Sequence, residues 1–539
     1  SCYFREIGNA PPGPAHRKII DYSLFGGVAY DGCSTGHGSH VAGTIAGDQS
    51  YITGSTDYAG MAFGAKLTVQ DVGRDGFVEC LLGLVSVPSS LTAAFTASYD
   101  LGARIHSNSW GSSSNAYDTY AVNIDQFMWT HPQYLIVFAN GNSGPSASTV
   151  GSPATAKNCI SVGATQQAPN QSTVASYSSR GPASDGRYKP TIAAPGGDSN
   201  GYIFSVNNNT GNPPSATCAV QGSPFAGTSM ATPAVAGSAA LVREYFRRGF
   251  YPLGLDGGDP VAPTGALVKA VLVNCAADVA TPDIPNNNEG FGRVLLDDAL
   301  YFDGDTRELR TEMDAGVSTG GVQTFEYEID SSAEPFEVAL VWSDYPATSG
   351  ASVALVNDLD LVVIAPGGAV YLGNRMSSGE STTGGTADRR NVEEMFRLNN
   401  PPTGIYTIEV HGFNVPQGPQ PFALASTGAF GNWPENSADA PEDVVSANGW
   451  AITSAEPNPL SARTSITFRA PDAGARTRVA IYDLAGREIR TLADRVVAGS
   501  YTAVWDGRDD QGREAASGIY FARISADGTE LRAKLVLTR

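Results

Sequence analysis

Long apolar runs are missing from this 539-residue sequence: no stretch approaches the ~18 uninterrupted apolar residues that a membrane-spanning helix needs. The N-terminus, Ser-Cys-Tyr-Phe, lacks the pattern of a secretory signal peptide. No C-x-x-C pair occurs, which removes the usual cysteine signature of a zinc or redox site. We therefore expect no membrane-spanning segment, and we expect that the chain as given has already been trimmed.

Positive charge is also scarce. The sequence has 34 Lys and Arg against 54 Asp and Glu, which gives a formal net charge of −20 and a pI near 4.7. A nucleic acid or an anionic membrane surface would be repelled by this excess of negative charge. We expect neither as a partner, and we interpret the excess as a solubility feature of a protein that works outside the cell.

Cysteine is infrequent, and none occurs beyond position 275. The even number favours disulfides and hence an oxidising compartment. Our favoured bridge joins Cys2 to Cys33, because it would hold the loop that leads into the first histidine motif, while the other pairings cannot be deduced. The six cysteines are Cys2, Cys33, Cys80, Cys159, Cys218 and Cys275.

The pattern of apolar segments changes twice along the chain. Residues 1–304 alternate apolar runs with Gly- and Ala-rich helical segments, which predicts a parallel sheet covered on both faces. Residues 305–430 contain short strands between turns, which predicts an antiparallel β-sandwich. The acidic stretch 431–452 is a predicted linker, and residues 453–539 are a third, all-β unit. The predicted strands of the sandwich are 322–329, 336–342, 359–364 and 404–410.

The motif F-A-G-T-S-M-A-T-P places Ser229 at a Gly-flanked turn that leads into an Ala-rich helix ending near Arg248. The first turn of a helix has unpaired N–H groups and a positive dipole end, which stabilise negative charge developing beside a serine there. Ser229 is therefore a candidate nucleophile. The alternative is that it only caps a buried helix, as serines commonly do.

A serine nucleophile needs a base, and His37 lies in G-H-G-S-H-V-A-G, where glycines permit close approach and a small-residue helix follows. His37 and His40 could instead be zinc ligands, but no nearby Cys or Glu pattern supplies further ligands. We interpret His37 as the general base and His40 as a packed neighbour. The histidines available are His16, His37, His40, His106, His131 and His411.

These two motifs, in this order, resemble the His and Ser motifs of the subtilisin-like serine proteases. Two long motifs in the correct order are far more specific than a single short pattern. The resemblance implies a doubly wound α/β fold with a parallel sheet, followed here by two all-β sandwich domains. It also implies that His37 and Ser229 meet at one edge of the sheet.

The segment Y-L-I-V-F-A-N-G-N-S-G is an apolar strand that delivers a polar, Gly-rich loop, which is where an α/β sheet presents side chains to ligands. It resembles the family's oxyanion segment. By that resemblance, Asn142 would donate its side-chain amide to the tetrahedral intermediate, beside the backbone N–H of Ser229. The alternative is that Asn142 only shapes a turn.

The segment I-H-S-N-S-W-G resembles the strand that pairs with the substrate backbone in this family. The residues expected to offer main-chain groups to an extended peptide are Ser109, Trp110 and Gly111. The opposite wall is expected to include Ala139, Asn140 and Gly141. None of these residues is acidic, so we expect no dibasic specificity and broad cleavage after apolar or bulky residues.

The aspartate of such a triad is not assigned. In the family it lies in a D-T-G or D-S-G motif, usually thirty or more residues before the His, and counting back from His37 reaches Arg5 or passes the start of the chain. The upstream acids Glu6, Asp21 and Asp31 lie in no such motif. A longer precursor, a substituting Asp and a disabled relative would each explain this, and we favour the first. Loss of the Asp costs about 3 × 10⁴ in turnover in a subtilisin, so we expect this chain to be nearly inactive.

Residues 305–430 resemble the β-sandwich that follows the catalytic domain in some large subtilases. The run N-D-L-D places Asp358 and Asp360 on one strand face, and Asp344 lies in the preceding turn region. Such hard oxygen ligands would suit a structural calcium ion. An exposed acidic strand face is the alternative. We expect no cofactor for catalysis.

Residues 453–539 resemble the terminal immunoglobulin-like module of flagellar hook-assembly proteins and of secretion-sorting tails in some Gram-negative bacteria. We therefore expect a secreted or surface-attached bacterial protein that engages secretion machinery or the cell surface. The leading hypothesis is a serine endopeptidase that acts on proteins or peptides. The rival hypothesis is a catalytically disabled, subtilase-fold binding or adhesion protein.

Overall fold

A computed structural model describes the greater part of the chain. The described residues are 4, 11–25, 36–48, 50, 58–74, 84–206, 220–221, 225–258, 260–279, 283–431, 451–456, 460, 463–483, 487–516, 518–526 and 529–537. The chain divides into two compact units, Ser1–Gly431 and Asn432–Arg539. In the described part of the chain, no helix combines the length and the apolar character required to cross a membrane.

Helices of the first unit form where small and apolar residues recur, and two of them begin with an N-cap side chain that accepts hydrogen bonds from the first turn. The Asp118 carboxylate accepts hydrogen bonds from the backbone N–H of Tyr120 at 3.0 Å and of Ala121 at 3.2 Å. The Thr264 hydroxyl likewise accepts from the N–H of Leu267 at 3.0 Å. The helices are α1 (His37–Ala46), α2 (Thr92–Asp100), α3 (Thr119–Thr130), α4 (Thr228–Arg247) and α5 (Gly265–Asn274).

A parallel sheet lies at the centre of the first unit. The strands of this part of the chain are β1 (Ile19–Leu24), β2 (Leu67–Asp71), β3 (Ile105–Asn108), β4 (Leu135–Ala139), β5 (Ile160–Thr165), β6 (Ile192–Pro195), β7 (Ser205–Val206), β8 (Val220–Gln221), β9 (Ala276–Ala277) and β10 (Arg293–Val294). The six-stranded sheet has the order β3-β4-β5-β6-β10-β9, while β1 pairs with β2 and β7 with β8. Strands β3 to β6 are parallel. Every residue of β4 and β5 is buried, as expected for parallel strands covered on both faces.

An antiparallel β-sandwich follows within the same unit. Its strands are β11 (Glu308–Val317), β12 (Val322–Ile329), β13 (Phe336–Val341), β14 (Asp358–Ile364), β15 (Val370–Ser377), β16 (Glu380–Thr383), β17 (Glu393–Leu398), β18 (Gly404–Asn414) and β19 (Gln420–Gly428). They form sheets of order β11-β19-β13-β17 and β12-β18-β14-β15-β16. The predicted strands 322–329 and 359–364 are confirmed by β12 and β14. Helix α5 packs against β13 and β19.

Buried charges join the sandwich to the parallel-sheet region. Lys157 Nζ donates to Asp344 Oδ2 at 2.5 Å and to the carbonyl oxygen of Tyr345 at 2.6 Å, and both side chains of the ion pair are fully buried. Lys269 forms a second buried ion pair with Glu393. Buried ion pairs of this kind remain favourable only while every partner is in place. The sandwich is therefore an integral part of the first unit.

The second unit is a separate all-β module. Its strands are β20 (Ala451–Glu456), β21 (Thr464–Asp483), β22 (Glu488–Trp505), β23 (Gly518–Ala526) and β24 (Thr529–Leu537). Their order is β20-β21-β23-β24, and β22 also pairs with β21. Phe468 and Trp505 are fully buried in its core. The predicted linker lies almost entirely outside the described residues, since 432–450 are not among them.

Candidate active site

Ser229 lies in the first turn of α4, as the sequence predicts. Its backbone and side chain are both tied to the residue that follows β3. Ser229 Oγ donates to the carbonyl oxygen of Ser109 at 3.3 Å, and Ser109 Oγ donates to the carbonyl oxygen of Ser229 at 2.9 Å. These reciprocal hydrogen bonds fix the serine at the carboxyl end of the parallel sheet.

Asn142 contacts the same helix end from the loop after β4. Its Oδ1 atom accepts from the backbone N–H and from the hydroxyl of Thr228, both at 2.9 Å. A Cβ atom at Gly227 would lie 3.4 Å from Asn142 Nδ2, so glycine leaves room beside this amide. Because Oδ1 is used by the helix, the amide nitrogen is the end of the side chain left to donate beside the N–H of Ser229.

The histidines other than His37 are held by hydrogen bonds to nearby groups. His40 is fully buried, its Nε2 lies 3.0 Å from the carbonyl oxygen of Ile203, and its ring stacks on Phe225 at 4.5 Å. His37 is the first residue of α1, and its ring lies 6.3 Å from that of Phe225. The other histidines have hydrogen-bond partners away from Ser229; they are His16, His106, His131 and His411.

A cavity of about 1720 Å³ brings the three predicted groups together. His37, Asn142 and Ser229 all line it. The predicted substrate-strand residues that also line it are Ser109, Trp110 and Gly111.

The residues expected to form the opposite wall of the substrate site are not among those that line the cavity. Ala139 and Asn140 are buried and do not line this cavity. Asn140 Nδ2 donates to the carbonyl oxygen of Ser179 at 2.7 Å, which fixes the loop from inside. Gly141 adopts φ 107°, a conformation that favours glycine, and its N–H donates to the Thr228 hydroxyl at 3.3 Å. These residues hold the Asn142 loop in position.

The sequence is similar to proteins of a known family. Residues 30–292 match the subtilase family of peptidases. Subtilisin BL of Lederbergia lenta is 35% identical over 234 residues, which cover 42% of this chain and 71% of that protein. The chain belongs to the subtilase family. In this subtilase, residues 458–530 match the FlgD Ig-like domain.

Other relatives of this subtilase are longer. A serine protease/ABC transporter B family protein of Dictyostelium discoideum is 27% identical over 521 residues, which cover 77% of this chain but 28% of that protein. An extracellular protease of Xanthomonas campestris pv. campestris is 32% identical over 279 residues, 50% of this chain and 40% of that protein. The solved structure of Sphericase is 26% identical, covers 52% of this chain and 87% of its own, and has a TM-score of 0.36.

We assign none of the upstream acidic residues of this subtilase as the catalytic aspartate. Asp21 lies on β1 and does not line the cavity. Glu6 and Asp31 lie outside the described residues, as do four of the six cysteines and hence the favoured Cys2–Cys33 bridge. The two described cysteines, Cys159 and Cys275, are buried free thiols.

Asp71 is a carboxylate that sequence reasoning missed. It ends β2 and lines the same cavity as His37 and Ser229. Its Oδ2 accepts from the Tyr22 hydroxyl at 2.6 Å, and its Oδ1 accepts from the N–H of Gly73 at 2.8 Å. The available signal was its position at the end of the short run L-T-V-Q, in which apolar and polar residues alternate as in a strand.

The predicted calcium ligands do not form one group. Asp358 and Asp360 share a strand face, as predicted, and Arg389 lies against both, with Nη2 at 3.1 Å from Asp360 Oδ2. Asp344 is engaged by other groups: its oxygens accept from Lys157 and from the backbone N–H groups of Val356 and Asn357. Asp344 is therefore a structural ion-pair partner and is not available to a calcium site with the other two. Calcium at Asp358 and Asp360 stays a prediction.

Two sheet edges face the cavity. Residues of β2 and β3 line it, and among the described strands β2 pairs with β1 alone and β3 with β4 alone. Side chains bridge the two edges: His106 Nε2 donates to Gln70 Oε1 at 3.2 Å, while Asn108 Nδ2 donates to His106 Nδ1 at 2.9 Å. Burial lowers the pKa of His106 to about 4, so this imidazole is neutral at pH 7.

His106 predicts a specific acid sensitivity. In the unfolded chain histidine takes up a proton below about pH 6.5, whereas the folded protein resists protonation until about pH 4, so stability is lost as pH falls between these values. The loss is at most about 3 kcal/mol. Denaturant unfolding from pH 7 to 4 should show a shallower loss for His106→Gln than for the wild type. Equal slopes for the wild type and His106→Gln would contradict the assignment.

Proposed function

We propose that this subtilase is a serine endopeptidase that hydrolyses peptide bonds in proteins through an acyl-enzyme at Ser229. His37 is the general base, and Asn142 donates to the oxyanion. The observation that carries the proposal is that these three side chains line one cavity at the N-terminus of α4. Membership of the subtilase family supports it.

Each group has a defined part in the reaction. Ser229 Oγ attacks the carbonyl carbon of the substrate while His37 takes the hydroxyl proton. The negative charge that develops on the carbonyl oxygen is stabilised by Asn142 Nδ2, by the N–H of Ser229 and by the positive end of α4. His37 then protonates the departing amine as the C–N bond breaks. Water, deprotonated by His37, hydrolyses the ester and restores Ser229.

An extended peptide is the substrate that suits this cavity. The segment that follows β3 lines it through Ser109, Trp110 and Gly111, whose main-chain groups can pair with a substrate backbone. Pairing through main-chain groups tolerates many sequences, which supports broad cleavage. The rival hypothesis, a disabled binding or adhesion protein, does not require a nucleophile, a base and an oxyanion donor in the same cavity.

Active-site labelling separates the two hypotheses. A fluorescent fluorophosphonate should label Ser229 in the protein expressed from its full reading frame, because the reagent needs an activated serine beside oxyanion donors. Labelling should disappear in Ser229→Ala and fall strongly in His37→Ala. Ser238→Ala, on the same helix, should label like the wild type, since its hydroxyl only donates to the carbonyl oxygen of Ala234. A well-folded full-length protein that takes no label would favour the binding protein.

Asn142 has two roles that substitution can separate. Asn142→Asp keeps an oxygen for Thr228 but loses the amide donor, whereas Asn142→Ala loses both. Both variants should reduce kcat for a peptide substrate by about 10²–10³, the cost measured for an oxyanion-hole asparagine in a subtilisin.

The stability of the same variants provides the control. Only Asn142→Ala should lower the melting temperature, because it alone removes the acceptor that caps α4. Comparison within one set of variants is independent of which carboxylate supports His37. A kcat that is unchanged in Asn142→Asp would remove Asn142 from the oxyanion site.

We further propose that the protein is exported from a bacterial cell. The relative in Xanthomonas campestris pv. campestris is named an extracellular protease, and the FlgD Ig-like domain at 458–530 forms part of a unit of its own. Deletion of 453–539 should impair secretion or surface retention, measured by immunoblotting of culture medium and cell fractions. Unchanged distribution of the truncated protein would contradict a sorting role for this unit.

A further inference from the structure

Three carboxylates meet in the loop between β9 and β10. Asp278, Asp283 and Glu289 each offer one oxygen, and these oxygens lie within 4.8 Å of one another. The loop lies at the edge of the central sheet, where β10 pairs with β6. None of the three residues lines the cavity that contains Ser229, so the cluster is separate from the proposed active site.

Hydrogen bonds within the loop hold the carboxylates together. Asp278 Oδ2 accepts from the backbone N–H of Asp283 at 3.0 Å and of Ile284 at 3.3 Å. The side-chain amide of Asn286 donates to Asp283 Oδ1 at 2.6 Å and to Glu289 Oε1 at 3.0 Å. One amide group therefore bridges two carboxylates and brings their negative charges close.

Two oxygens of the cluster are buried without a hydrogen-bond partner among the described residues. They are Glu289 Oε2 and Asp278 Oδ1, and Glu289 is only 2% exposed. A buried carboxylate oxygen is unfavourable unless a donor or a cation completes it.

The arginines whose charges act on the cluster are engaged elsewhere. Arg180 donates to the carbonyl oxygens of Asn288 at 3.0 Å and of Ala175 at 3.3 Å. Arg397 forms an ion pair with Glu337 at 2.6 Å. In the described part of the chain, neither guanidinium donates a hydrogen bond to Asp278, Asp283 or Glu289. These two arginines therefore do not form ion pairs that would neutralise the three carboxylates.

We propose that Asp278, Asp283 and Glu289 bind one calcium ion. The ligand atoms are hard carboxylate oxygens, with no sulfur or imidazole among them, which disfavours zinc. Calcium takes 6–8 oxygens at about 2.3–2.6 Å, and three oxygens within 4.8 Å of one another can reach one such ion. Magnesium usually keeps several waters and is bound through one or two carboxylates, so three protein carboxylates favour calcium.

The bound ion would hold the β9–β10 loop in one conformation by drawing Asp278, Asp283 and Glu289 together. Two hydrogen bonds join this loop to the segment after β5: the N–H of Gly181 donates to the carbonyl oxygen of Asn287 at 2.9 Å, and the Arg180 side chain donates to the carbonyl oxygen of Asn288 at 3.0 Å. Calcium should therefore stabilise this edge of the sheet without taking part in peptide hydrolysis.

Calcium binding by the full chain, treated first with EDTA, tests this proposal. The wild type should bind one more calcium ion per chain than Glu289→Gln or Asp283→Asn, measured by isothermal titration, with binding at this site weakened at least tenfold in either variant. In EDTA, Glu289→Gln should melt no lower than the wild type, because it removes a buried charge that lacks a partner. Asp283 is exposed, so its variant leaves the core intact.

Asp297→Asn is the matched control, since this exposed carboxylate lies in the next turn of the chain, outside the cluster. It should bind calcium and respond in melting temperature like the wild type. Equal calcium stoichiometry in the wild type, Glu289→Gln and Asp283→Asn would overturn the site. A magnesium-induced rise in melting temperature equal to that with calcium would overturn the assignment of the ion.

Discussion

The position of Ser229 depends on the contact between the Asn142 side chain and the first residue of α4. One oxygen atom accepts both the N–H and the hydroxyl of Thr228, so it satisfies donors that a helix N-terminus would otherwise leave unpaired. The same contact turns the amide nitrogen of Asn142 toward the region beside Ser229. Stability and the proposed catalysis are therefore coupled: the loop after β4 caps the helix and, in doing so, orients the proposed oxyanion donor. The reciprocal hydrogen bonds between Ser109 and Ser229 attach the same turn to β3.

The β-sandwich contributes to this geometry from outside the site. Helix α5 packs between the parallel-sheet region and strands β13 and β19, and the buried pairs Lys157–Asp344 and Lys269–Glu393 cross the same boundary. Removing one member of such a pair leaves an uncompensated buried charge. When neither group is buried, both keep their hydration and no desolvation penalty arises. The boundary therefore favours complete assembly of the first unit over partial assembly. A sandwich that was an independent module would not need buried ion pairs with the parallel-sheet region.

Much of the fold was predictable because it depends on local sequence. The entirely apolar run 134–139 predicts a buried parallel strand, and β4 occupies 135–139. The strand pattern 322–329 coincides with β12. Small residues after Ser229 predict a helix that approaches a sheet closely, and α4 packs on β3 to β6. The sequence does not predict that β2 and β3 lie in separate sheets with facing edges, because strand order is set by contacts between distant residues.

The sequence by itself determined the chemical groups of the candidate site: a serine at a helix start, a histidine between glycines and an asparagine after an apolar strand are all local patterns. Only the tertiary structure decided which residues share a cavity. It placed Asp71 on the cavity wall, turned Ala139 and Asn140 inward, and committed Asp344 to Lys157. It also brought the three carboxylates of the β9–β10 loop together. The physical reason is that a side chain's partners are chosen by packing and desolvation across segments far apart in the chain, which no local pattern records.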